Sequence, residues 1–134
     1  MPFKYERDDV RHRAVITFEG EFRMSEVLDS IERRRAENAV TEPVLVDIRR
    51  LQGQPDLEDL RQLLREDLSI PTGGQPRGPI AIVATGSLLY TKACTFAALA
   101  YSKVKVRVFR DMVDADSWLT AQANDLSSPQ EAAG

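Results

Sequence analysis

The sequence has few of the residues on which nucleophilic catalysis, metal binding and disulfide bonding depend. Its 134 residues include one histidine and one cysteine. These two residues cannot supply the ligand set of a structural zinc site, and a single cysteine cannot form an internal disulfide. A nucleophile needs a base beside it, but His12 lies between two arginines in an early segment expected to be a solvated strand. We therefore expect no enzyme activity, no cofactor and no metal.

Two further absences bear on location and partners. The 18 basic residues are outnumbered by 21 acidic ones, so the net charge of −3 provides no basic field for nucleic acid. The longest apolar segment has about sixteen residues and contains Lys92, whereas a membrane-spanning helix needs about twenty apolar residues. The N-terminal segment is charged and lacks the apolar core of a signal peptide. We expect a cytoplasmic protein, in a compartment that suits its lone cysteine, with at most peripheral membrane contact and no nucleic acid.

Apolar periodicity predicts short strands alternating with helices. The predicted strands cover residues 3–7, 11–19, 44–48, 80–85 and 104–110. The predicted helices are one capped by Ser25 that runs to about residue 37, one that begins at Asp56, one over 87–102, and one capped by Asp111. The order ββαβαβαβα indicates an α/β fold with a mixed sheet and right-handed crossovers. Residues 1–123 form one predicted domain, and the small polar segment 124–134 is expected to be a disordered tail.

Three of the helices have a clear apolar side that is expected to face the core. These sides consist of Met24, Val27, Leu28 and Ile31 in the first helix, Leu57, Leu60, Leu64 and Leu68 in the second, and Val113, Ala115, Trp118 and Leu119 in the last. The triplet Arg33, Arg34 and Arg35 is interpreted as a solvated group of cations at the end of its helix.

The third helix, SLLYTKACTFAALAYS, has apolar residues in almost every direction and Lys92 as its only charge. Such a helix is expected to bury more than one side. Its second neighbour could be other helices of the same chain, a second copy in a homodimer, or a ligand or lipid in a cleft. Cys94 is interpreted as a packing residue of this helix. Leu89, Phe96 and Tyr101 are the predicted interface residues, because large apolar and tyrosine side chains favour contact surfaces.

Polar candidates for ligand binding lie where predicted strands end. Thr85, Gly86 and Ser87 connect a buried strand to the apolar helix, where first-turn N–H groups can hold an anion, and Tyr90 follows one turn later. The alternative is that Ser87 or Thr85 simply caps the helix. Asp47 ends another buried strand and is either a ligand contact or a salt-bridge partner for nearby arginines.

The alternating cations Lys103, Lys105 and Arg107 lie on one face of the last predicted strand. They form either an ordinary solvated face or a contact for an anionic membrane or an acidic partner.

The segments VLVDIRRL, IAIVATGSLLY and above all VKVRVFRDMVDADSWL resemble SpoIIAA-like, STAS-type proteins. More narrowly, they resemble the bacterial STAS-like branch related in fold to CRAL-TRIO lipid-binding domains. The resemblance covers residues 3–121 and implies a sheet with helices mainly on one face, no catalytic machinery, function by binding, and small oligomers in many members. Anti-sigma-factor antagonists of this fold carry an Asp-Ser-Ser/Thr-Gly motif whose serine is phosphorylated. Here the corresponding segment runs from Asp47 through Arg49 and Arg50 with no serine or threonine before Asp56, so we expect no phosphorylation switch.

Together these observations predict a non-enzymatic binding or regulatory module. Its ligand is expected to be an apolar or amphipathic, lipid-like small molecule or a membrane surface, bound beside the third helix. The alternative is a protein–protein interaction module that acts as a homodimer or binds a regulatory partner.

Overall fold

A five-stranded mixed sheet forms the centre of the fold, with strands in the order β1-β2-β3-β4-β5. The computed structural model describes residues 3–126, with side chains over 3–122. Strand β1 is antiparallel to β2, and the remaining neighbours are parallel. The elements are β1 (Phe3–Asp8), β2 (Arg13–Glu21), α1 (Met24–Ala36), β3 (Val44–Gln52), α2 (Leu57–Leu68), β4 (Ile80–Val83), α3 (Ser87–Leu99), β5 (Val106–Phe109) and α4 (Met112–Leu126). The predicted fold class and the order ββαβαβαβα are confirmed.

Helices cover both faces of the sheet, with three on one face and one on the other. Residues Ile16, Phe18 and Ile82 alternate toward the first face, where they pack in one core cluster with Leu64 of α2 and Ala93 of α3. The intervening residues Leu45, Ala81 and Val83 pack with Ala115 and Leu119 of α4. The start of β3, from Val44 to Val46, and all of β4 lie between the two helix layers, and every residue of these segments is apolar. The prediction that helices lie mainly on one face is confirmed.

The local signals at helix starts were partly correct. The Asp56 carboxylate accepts a hydrogen bond from the Asp59 backbone N–H at 2.8 Å, and Asp59 accepts one in return from the Asp56 N–H at 3.0 Å. Asp111 accepts from the Asp114 N–H at 2.8 Å, as predicted. The cap predicted at Ser25 is wrong, since α1 already begins at Met24 after Arg23, which makes no side-chain cap bond to the described residues.

Helix α4 faces the sheet with a narrower apolar side than the sequence predicted. Ala115 and Leu119 are fully buried and Trp118 is half-buried, but Val113 is 74% exposed. The prediction that Val113 points inward is wrong, because a separation of two residues places its side chain on nearly the opposite side of the helix from Ala115. Helix α4 continues to Leu126, past the boundary predicted at residue 123, and the rest of the predicted tail, 127–134, lies outside the described residues.

Every helix within the described residues is too short or too polar to cross a membrane.

Candidate functional site

A cavity of about 150 Å³ lies between the sheet and helices α1, α2 and α3. Most of its wall is apolar, with contributions from Phe18 of β2, Val46 of β3, Leu60 of α2 and Phe96 of α3. An apolar cavity of this volume holds a molecule of about the size of benzene. The space therefore fits a single ring or a short alkyl chain, rather than a whole membrane lipid.

A buried ion pair forms part of this wall. An Arg34 guanidinium nitrogen donates to the Asp67 carboxylate at 2.6 Å, and each side chain is only 6% exposed. The Arg34 Nε–H has no hydrogen-bond partner within the described part of the chain. These two residues and Ser30 form a small polar patch in a lining that is otherwise almost entirely apolar.

The polar patch is held in place by a second arginine. The Arg77 guanidinium donates to the carbonyl oxygens of Asp67, Leu68 and Ile70, at 2.9, 2.6 and 2.7 Å. The first two carbonyls belong to the last turn of α2, where the helix dipole favours a cation, and the third follows the C-cap residue Ser69. Arg77 therefore fixes the end of α2 that carries Asp67.

Sequence reasoning missed Arg34 and Asp67, although a signal was present. Arg34 follows Val27 and Ile31 on the same side of α1, and Asp67 follows Leu60 and Leu64 on the same side of α2. A charged residue that continues an apolar side must be buried, or the helix must end before it. Opposite charges at equivalent positions of two neighbouring helices would have predicted that they pair.

Lys92 contributes a different kind of charge to the cavity wall. It is half-buried on α3, and it forms no ion pair with any acidic side chain of residues 3–122. An amphipathic residue of this type packs its alkyl stem on apolar groups and keeps its ammonium near solvent. Lys92 therefore supplies an uncompensated positive charge beside an apolar space.

Helix α3 has one inward and one outward side. Leu89 and Ala93 are 9% and 6% exposed and line the cavity with Phe96, so two of the three predicted interface residues lie inside the protein. The outward side is uncharged and consists of Leu88, Thr91, Cys94 and Ala98, followed by Tyr101 just beyond the helix. Leu88 is 67% and Tyr101 80% exposed. Cys94 is exposed, so its interpretation as a packing residue is wrong.

The structure brings together four of the predicted ligand-binding residues, away from the cavity. Thr85, Gly86, Ser87 and Tyr90 lie at the end of β4 and the start of α3. The Arg110 guanidinium lies 4.0 Å from the centre of the Tyr90 ring and 3.5 Å from the Thr85 carbonyl oxygen. Gly86 is the N-cap and no described side chain caps α3, so the expected serine or threonine cap is wrong.

Asp47 lies one strand away, in register with Val83. Its carboxylate accepts hydrogen bonds from the Arg49 side chain at 2.9 and 3.0 Å and from the Arg49 backbone N–H at 3.0 Å. Burial raises the pKa of Asp47, but these hydrogen bonds and the arginine charge outweigh it and hold the pKa below its usual value. The geometry matches the salt-bridge interpretation of Asp47.

A mixed sheet in this strand order, with three helices on one face and one on the other, is a SpoIIAA-like fold. An uncharacterized protein of the DUF3478 family with this fold, from Shewanella loihica PV-4, matches with a TM-score of 0.58 and 20% identity over 87% of this chain and 91% of that one. An anti-sigma factor antagonist from Mycobacterium paratuberculosis matches with a TM-score of 0.58 and 13% identity over 87% and 93% of the two chains. The fold predicted from the sequence resemblance is thus confirmed. No protein-family model and no curated protein matches the sequence.

Proposed function

We propose that this chain is a non-enzymatic, STAS-type regulatory module that binds a small amphipathic molecule in the cavity between the sheet and helices α1, α2 and α3. The observation that carries the proposal is the cavity itself, which has apolar walls and a volume of about 150 Å³. Protein interiors are normally close-packed, and each void forfeits dispersion contacts along its lining. A ligand that fills this one restores those contacts, and its binding stabilises the conformation that holds it.

Volume and charge define the class of ligand. The apolar part is a ring or a short alkyl chain, since a space of this size takes about one benzene. The polar part is an acidic group, because Lys92 is the charge in the cavity wall that lacks an acidic partner among the described residues. Arg34 is already neutralised by Asp67. Short-chain or aromatic carboxylates therefore fit better than neutral or cationic molecules.

Binding of benzene and of hexanoate, measured by NMR chemical-shift titration, tests this proposal. Both probes are expected to bind the wild-type protein. Ala93→Leu extends a side chain into the cavity and is expected to abolish binding of both, because the added carbons occupy the space of the ligand. Lys92→Gln is expected to lower the affinity for hexanoate by about tenfold, because one charge-assisted contact is lost, and to leave the affinity for benzene unchanged.

Ala98→Leu is the matched control, since Ala98 lies on the same helix but is exposed outside the cavity. It should bind both probes as the wild type does. Equal titration curves for wild type and Ala93→Leu would show that the probes bind elsewhere, and the proposed site would be rejected. Native mass spectrometry of protein purified from its own cells then identifies the natural ligand as an added mass that Ala93→Leu lacks.

A second candidate function, self-association, is favoured by the outward side of α3. This uncharged surface, Leu88, Thr91, Cys94, Ala98 and Tyr101, extends along the whole helix. Uncharged exposed side chains around a leucine and a tyrosine match the composition of interface centres, where charged residues are depleted. A homodimer through this surface would leave the cavity on the inner side of α3 free for its ligand.

Sedimentation equilibrium tests this surface with Leu88→Glu, which places a charge at the centre of the expected contact. We expect the wild type to dimerise at micromolar concentration and the variant to be monomeric. Val10→Glu makes the same change at a residue that is 89% exposed in the β1–β2 turn, and it should dimerise normally. A wild type that remains monomeric at about 100 μM has a Kd above that concentration, which corresponds to an association free energy weaker than roughly −5.5 kcal/mol, and this result would contradict the homodimer.

A further inference from the structure

A second concave surface lies at the opposite end of α3, beside strand β5. This groove has a volume of about 560 Å³ and is formed by the segment before β5, by β5 itself, by Arg77, and by Trp118 and Gln122 of α4. Its apolar lining comes from Ala97, Tyr101 and Val106 on the α3 side of the sheet and from Trp118 on the α4 side. The groove shares no lining residue with the cavity between the sheet and α1, α2 and α3.

The charge of the groove is of one sign. Its charged lining residues are Arg77, Lys103, Lys105 and Arg107, and no described aspartate or glutamate lines it. Most other cations of the chain form ion pairs, but none of these four does so within residues 3–122. Arg77 donates to three backbone carbonyls and Lys105 to the Gln122 side chain, but both partners are uncharged. Because the whole chain carries a net charge of −3, this local concentration of positive charge without carboxylate partners is not a consequence of composition.

Strand β5 also has a free hydrogen-bonding edge here. It is the last strand of the sheet, and β4 is its only neighbour among the described residues. The carbonyl of Lys105 accepts a hydrogen bond from the Ile80 N–H of β4 at 2.8 Å, and that of Phe109 accepts one from the Ala84 N–H, just after β4, at 2.9 Å. Since backbone groups alternate along a strand, those of Val106 and Val108 point outward and are available to another strand.

We propose that this groove binds an extended acidic segment of a partner protein, which adds to the sheet as a strand beside β5. Backbone bonds to the edge of β5 would supply affinity, and alternate side chains would supply specificity. Acidic residues on one side of the added strand would meet Lys105 and Arg107, while apolar residues on its other side would contact Ala97 and Tyr101. An anionic membrane fits less well, because a flat lipid surface cannot enter a groove or pair with a strand edge.

Trp118 makes the proposal directly measurable. It is the only tryptophan of the chain and lines the groove, so its emission reports on occupancy. The probe is a blocked heptapeptide of alternating valine and glutamate, and the expected result is a saturable change in Trp118 fluorescence that weakens with added salt. The same peptide with glutamine in place of glutamate should bind at least about tenfold more weakly, because the charge attraction is lost.

The backbone hydrogen bonds to β5 are tested with a peptide that is N-methylated at alternate residues on its pairing edge. The methyl groups remove the peptide's backbone N–H donors without any change to the protein. This peptide is expected to lose at least about tenfold in affinity. The double variant Lys105→Glu/Arg107→Glu should lose binding of the unmodified peptide. Arg61→Glu/Arg65→Glu on α2 changes the net charge equally at exposed positions outside the groove and should bind normally.

Three results would overturn the proposal. One is that the peptide causes no change in Trp118 fluorescence, including the case in which phosphatidylserine vesicles change that fluorescence instead. Equal affinity of the glutamine peptide would remove the acidic specificity. Equal affinity of the N-methylated peptide would remove the strand pairing.

Discussion

Replacement of Arg34 by alanine is expected to lower the free energy of unfolding by about 3–5 kcal/mol. The variant leaves the Asp67 carboxylate, whose side chain is 6% exposed, without its cation in a largely apolar environment. Breaking one side of a buried ion pair is costly because the remaining charge cannot be solvated. Urea denaturation followed by circular dichroism measures the loss.

Two comparisons show whether the loss of stability comes from the burial of the ion pair or from the loss of a charge alone. Arg65→Ala breaks the pair between Arg65 and Glu58, whose side chains are 63% and 68% exposed, and should cost at most about 1 kcal/mol. The double variant Arg34→Met/Asp67→Leu should recover most of the stability that Arg34→Ala loses, since apolar residues of similar size often replace buried pairs without loss. Similar losses for Arg34→Ala and Arg65→Ala would mean that the buried pair is solvated in the native protein.

Leu119→Ala is expected to destabilise the protein by about 2–5 kcal/mol. Leu119 is 0% exposed and is among the largest fully buried side chains, packed with Val83 and Ala115 between α4 and the sheet. The cost combines the lost burial of apolar carbons with the cavity left behind. The midpoint and slope of urea unfolding give the change in free energy.

Val113→Ala is the control on the same helix. Because Val113 is 74% exposed, its truncation should change the unfolding free energy by no more than about 0.5 kcal/mol. A large cost at Val113 and a small one at Leu119 would mean that the opposite side of α4 faces the sheet, and would contradict the structure.

The candidate site was predictable only in part, and the residues show why. The sequence analysis pointed to α3 as the wall of a cleft, and Leu89 and Phe96 do line the cavity. The predicted polar contacts Thr85, Ser87 and Tyr90 instead lie at the end of β4, since a loop position in the sequence does not show which layer of the fold encloses space. The polar groups of the cavity come from Arg34, Asp67 and Lys92, which are distant in sequence and meet only because α1, α2 and α3 pack side by side.

The amino-acid sequence by itself determined the order of strands and helices, the apolar centre of the sheet at the start of β3 and in β4, the start of a helix at Asp56 and the cap at Asp111. These features depend on periodicity and on contacts between residues a few positions apart, so they are encoded locally. Only the tertiary structure decided which charges pair, where a void remains, and which side of α3 faces outward. Those properties depend on the shapes of surfaces that meet across the fold, and no short segment contains that information.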